Sequence, residues 1–80
     1  MIEIQVYLHT TLVMFSPDGE TRKFNFQLPA GSSIKDLVES LKITRPADSL
    51  LFARNGKVAD DTDILVDGDK VHIMMPISGG

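Results

Sequence analysis

The chain has no cysteine, which excludes a disulfide framework, a thiolate metal site, an iron–sulfur cluster and a cysteine nucleophile within it. Redox chemistry, if any attends its function, comes from another protein. It has no apolar run near the length of a membrane span, and Met1-Ile2-Glu3 lacks the basic and then apolar regions of a signal peptide. A cytoplasmic location without a membrane partner is therefore expected. It has no run of Lys or Arg, and a formal net charge of -3 with acids and bases interspersed argues against nucleic acid as a partner. Repeats, low-complexity stretches and interdomain linkers are also missing. What remains is one domain of 80 residues, 42% hydrophobic and 24% charged, with enough apolar residues for a small core that folds without staples.

From Ile2 the sequence alternates. Ile2, Ile4, Val6 and Leu8 fall on one face and Glu3, Gln5, Tyr7 and His9 on the other, the period-two pattern of a half-buried strand. The run Thr10 to Phe15 offers an extension of it, and Ser16-Pro17-Asp18-Gly19 is a turn signal. The return strand alternates Phe24, Phe26 and Leu28 with Lys23, Asn25 and Gln27, until Pro29-Ala30-Gly31 ends it. Ile34, Leu37, Val38 and Leu41 then take the i, i+3, i+4, i+7 spacing of an apolar helix face. Ser33 is the expected N-cap, with Asp36 in place of the Glu of a capping box and Glu39 also toward the positive end of the dipole. Arg45-Pro46 is expected to stop the helical region.

Leu50-Leu51-Phe52-Ala53 reads as a short strand that Asn55-Gly56 turns back into Lys57-Val58. The acidic stretch Asp60-Asp61-Thr62-Asp63 lacks the glycine and closing Glu of a calcium loop and reads as a solvated loop. Asp67-Gly68-Asp69 leads into a last strand, in which Val71, Ile73 and Met75 alternate with Lys70, His72 and Met74. The class is α+β: a mixed sheet of about five strands packed on one helix. The first and last strands carry the longest alternation and are expected at the sheet centre. The expected core is Ile4, Val6, Phe24, Phe26, Leu28, Ile34, Leu37, Val38, Leu41, Val71 and Ile73. His9 and His72, on separate strands with no third ligand at recognisable spacing, are expected to be ordinary surface histidines, and no metal site is expected.

Residues 1–75 thus form the domain and Pro76-Ile77-Ser78-Gly79-Gly80 a tail. Two glycines carry no Cβ, so they fit extended in a channel too narrow for other residues and present a terminal carboxylate at its far end. They contribute little to a fold, and the tail is expected to be mobile until a partner captures it.

The first strand pair, one helix, Asn55-Gly56, Asp67-Gly68-Asp69, a last strand and Gly79-Gly80 together resemble the ubiquitin-like β-grasp sulfur carriers of the MoaD/ThiS family. The resemblance spans the whole chain, and the tail with the Asp-Gly-Asp turn is its most specific part. Arg54 departs from it, standing where these carriers have a small apolar residue, as do Met74 and Met75, which replace aromatic and proline residues. The resemblance implies a carrier, not an enzyme, with no catalytic residue and no bound cofactor. Gly80 would be activated by an E1-like adenylating enzyme that uses ATP, then converted to a thiocarboxylate. Its sulfur would pass to an acceptor such as the molybdopterin synthase large subunit, in molybdenum or tungsten cofactor synthesis, or thiazole synthase, in thiamine synthesis. Two alternatives stand beside it: a ubiquitin-like modifier joined through Gly80 to lysine, and an interaction module without tail chemistry. The match of Leu50-Leu51-Phe52-Ala53 to the corresponding run of ubiquitin implies a partner-binding patch of Leu51, His72 and Met74 on the outer sheet face.

Overall fold

The computed structural model describes residues 1–76. Five strands form one mixed sheet: β1 (Ile2–Leu8), β2 (Lys23–Leu28), β3 (Leu51–Arg54), β4 (Lys57–Ala59) and β5 (Lys70–Met74), in the order β2-β1-β5-β3-β4. β1 and β5 run parallel at the centre, with Val6 opposite Val71 and Leu8 opposite Ile73. The remaining pairs are antiparallel. A parallel neighbour needs a long crossover, and the segment between β2 and β5 supplies it with the helix α1 (Ile34–Ser40).

The alternation of β1 is read by the core as expected: Ile4 and Val6 are fully buried, as are Val71 and Ile73 from β5 and Ile34 and Leu37 from α1. Each such side chain contributes roughly 1.5–3 kcal/mol of burial. Ser33 caps α1 in a reciprocal box. Its Oγ accepts from the Asp36 N–H at 3.2 Å, and the Asp36 Oδ2 accepts from the Ser33 N–H at 2.9 Å. The acidic loop carries no ligand geometry but has a structural use, since the Asp61 and Asp63 carbonyls accept from the Lys35 and Ile34 N–H groups of the first turn.

Three expectations are corrected. Thr10–Phe15 does not extend β1. Thr10 enters the left-handed region at φ 54, which breaks the strand, and the run coils as a 3-10 segment that sinks Leu12 into the core. The helix ends at Ser40, well before Pro46. Lys42 takes the left-handed conformation (φ 59), and the Lys42 and Ile43 N–H groups donate to the Glu39 and Val38 carbonyls. That is a Schellman closure with lysine where glycine is usual. Phe24 and Phe26 are half-buried because β2 is an edge strand; they meet edge to face, ring centroids 6.3 Å apart, at the margin of the core. Leu8, Leu12, Ile43, Leu50, Phe52 and Leu65 take the space inside.

Candidate functional site

The outer face of the sheet, opposite α1, is built by the second half of each strand's alternation. Leu51 and Met74 are register partners, so their side chains stand on the same face side by side. His72, two residues earlier on β5, lies opposite both Ala53 on β3 and Tyr7 on β1. The three residues expected in a patch are thus neighbours: Leu51 is 52% exposed, and His72 and Met74 are half-buried. Val58 of the edge strand β4 pairs with Ala53 and extends the apolar surface, with 92% of its area exposed.

The sequence reading missed Tyr7, Ala53 and Val58 as members, and it separated two residues that the fold joins. Nε2 of His9 and Nδ1 of His72 lie 2.8 Å apart, within one hydrogen bond. The signal that would have found this pair is the parallel pairing of β1 with β5, since it sets Tyr7 beside His72 and brings His9 one step further along. The Tyr7 and His72 rings stack at 4.2 Å, 5° from parallel, and the Lys23 ammonium sits over the other side of Tyr7, 5.5 Å from its centroid. Burial, and after it the charge of His9, pushes the His72 pKa below the usual histidine value.

The start of β5, the strand that leads to Met75 and Pro76, is positioned by a buried carboxylate. Gly68, at φ 88, turns the chain so that its N–H donates to the Glu3 carbonyl at 2.8 Å, while the Glu3 N–H donates to Asp67 Oδ1 at 2.7 Å. Asp69 then points across to the other turn. It accepts from Arg54 Nε at 2.8 Å, Asn55 Nδ2 at 2.9 Å and its own turn's Val66 N–H at 2.9 Å. Asn55 and Gly56, both at positive φ, form the tight turn that holds Asn55 in reach, and its Oδ1 accepts the Lys70 N–H. The departure at Arg54 therefore has a role: it supplies the charge that Asp69 faces. Burial pushes the Asp69 carboxyl up, but the hydrogen bonds from Val66, Asn55 and Arg54 outweigh it and hold the pKa below the usual carboxylate value.

β5 starts from this latch and delivers Met75, packed against the core, and then Pro76, exposed. Ile77, Ser78, Gly79 and Gly80 lie outside the described residues. Among the described residues no group of three His, Cys, Asp or Glu side chains could hold a metal, and no helix is long and apolar enough to cross a membrane.

No curated protein sequence is a significant match to the chain. Among solved structures, small archaeal modifier protein 1 from Methanosarcina acetivorans is similar at 22% identity and a TM-score of 0.69, over 100% of this chain and 98% of that one. A chain in the complex of subunits 1 and 2 of molybdopterin-converting factor from Helicobacter pylori is similar at 18% identity and a TM-score of 0.64, over 99% and 100%. The thiamine biosynthesis protein ThiS from Geobacter metallireducens is similar at 19% identity and a TM-score of 0.57, over 95% and 99%. These likenesses establish the ubiquitin-like β-grasp fold. The model of the ThiS family matches residues 18–80.

Proposed function

Since this chain belongs to the ThiS family, we propose that it is a sulfur carrier whose reactive group is the carboxylate of Gly80. The observation that carries the reading is the span of the family match, which takes in the Asn55-Gly56 and Asp67-Gly68-Asp69 turns and runs through Gly79-Gly80.

A carboxylate at neutral pH is a poor electrophile, so it must first gain a leaving group. In the proposed sequence an E1-like enzyme aligns Gly80 on ATP. A carboxylate oxygen attacks the α-phosphorus, the bond to pyrophosphate breaks, and an acyl adenylate results. A persulfide sulfur then attacks the acyl carbon and expels AMP, and reduction of the sulfur–sulfur bond by a thiol leaves a thiocarboxylate on Gly80. Chain residues contribute position to this chemistry: the Asp69 latch fixes the start of β5, and the Leu51, His72 and Met74 face offers the enzyme an apolar surface to desolvate. Met74 suits a surface used in turn by an activating enzyme and an acceptor, because its side chain adapts to more than one shape. The acceptor is proposed to be a molybdopterin synthase large subunit or a thiazole synthase.

The similarity to small archaeal modifier protein 1 favours a second reading, in which the same adenylate passes through an enzyme thiol to a lysine amine. Intact mass after co-expression with an E1-like enzyme and a sulfurtransferase separates the two. The carrier reading expects one oxygen of Gly80 replaced by sulfur. Gly80-dependent conjugates to lysine without that replacement would establish the modifier instead, and full function in cells of a chain lacking Gly79-Gly80 would overturn both.

A further inference from the structure

Beside the apolar patch, three side chains on the outer sheet face can each give an electron pair to a soft cation. The His9 and His72 nitrogens are 2.8 Å apart and their ring centroids 5.1 Å, a difference close to the two ring radii. The outward axes of the two nitrogens, one bearing the shared proton and the other a lone pair, therefore lie along one line. The His9 N–H donates to the Ile73 carbonyl, which in a parallel ladder sets His9 alongside Met74. Met74 shares its face with His72 by strand alternation, whereas Met75 is packed on the core. His72 is clamped against Tyr7, whose hydroxyl donates to Gln5 Oε1 at 3.3 Å.

We propose that His9, His72 and Met74 form a binding site for copper(I). Two neutral imidazoles and a thioether are a soft donor set, and no carboxylate belongs to it, which disfavours hard cations. A filled-shell monovalent ion accepts two ligands at opposite ends of a line, the arrangement that these rings already have. Zinc, by contrast, prefers four donors in a tetrahedron. Metal–nitrogen bonds of about 2 Å each require the rings to part by about 1 Å. His9, half-exposed and free of the Tyr7 stack, is the ring that swings. The ring that donates the shared proton carries it on its other nitrogen once copper is bound, so two neutral rings take up the ion without net proton loss and without a change in its oxidation state.

The test is an anaerobic titration of the purified chain with copper(I) against a competing chromophoric chelator. One ion per chain is expected, with His9→Gln and His72→Gln each weakening binding by roughly tenfold or more, and Met74→Leu by less. The same titration followed by NMR on the unaltered chain guards against variants that fail to fold: the ring protons of His9 and His72 and the methyl of Met74 should shift. Shifts confined to the exposed Met1 and Met14, or a double histidine variant that binds within about threefold of the parent, would overturn the site.

Discussion

Arg54 and Asp69 face each other across the end of the sheet, Nε to Oδ2 at 2.8 Å, with the carboxylate buried and the guanidinium partly in solvent. With Asn55 on the second oxygen, the pair fastens two turns that lie far apart in sequence. Removing the carboxylate leaves the Val66 N–H and the Asn55 amide without their acceptor. Asp69→Ala should cost roughly 2–4 kcal/mol at neutral pH, read from denaturant midpoints. The folded-state pKa of Asp69 lies below its unfolded value of about 3.9, so this stabilisation is full above that value and is lost as pH falls through the folded-state pKa. The gap between parent and variant should therefore narrow in acid. A constant gap would mean that the charge contributes nothing.

Lys42 holds a left-handed conformation that a Cβ disfavours, at the position after the helix cap where glycine is usual. Lys42→Gly should raise stability by about 0.5–1 kcal/mol, against the general tendency of glycine to destabilise. Thermal unfolding of the two proteins decides it, and a lower midpoint for the variant would contradict the closure described.

Leu37 is wholly inside, while Phe26 sits at the sheet margin. Leu37→Ala should cost ~2–5 kcal/mol, and Phe26→Ala, despite the larger side chain removed, should cost less. Chemical denaturation of both variants checks the order.

On the outer face, Leu51→Asp and Met74→Asp each place a charge where the proposed activating enzyme would have to strip water from apolar area. Both should weaken activating-enzyme binding by roughly tenfold or more and shift stability by less than about 1 kcal/mol. Affinity within about twofold of the parent would leave the face an ordinary surface.

Gly79→Val should prevent thiocarboxylate formation while leaving unfolding unchanged, because a branched side chain stiffens the backbone and widens the tail. Mass spectrometry of the variant after co-expression reads it directly; a thiocarboxylate formed at the parental yield would remove the narrow-channel argument.

The strands and their faces were legible because period-two alternation is strong in Ile2–Leu8 and Lys70–Met74, and the N-cap because Ser33 and Asp36 carry it in side chains. The C-terminal end of α1 was not, since Lys42 gives no compositional sign of a left-handed cap. Nor was the coil at Thr10–Phe15, whose apolar residues fit a strand equally well. The outward face of Met74 followed from the alternation of the last strand and the place of Leu51 beside it from the resemblance to ubiquitin, but the contact of His9 with His72 needed a strand partner that alternation alone cannot name. The half-burial of Phe24 and Phe26 has the same origin, because sequence pattern reports a face and not a distance from the sheet edge.

The two central strands come from opposite ends of the described chain, and this orders events during synthesis. Without β5 the sheet falls into two units, β1 paired with β2 and β3 paired with β4, with no strand between them to join them. Closure must then bring together residues such as Val6 and Val71, a long-range contact that slows folding relative to helical proteins of similar size. A nascent chain interrupted before Lys70 would expose the inner edges of both units at once, each an open template for strands of other molecules. The last strand is therefore the one whose arrival turns an aggregation hazard into a finished domain.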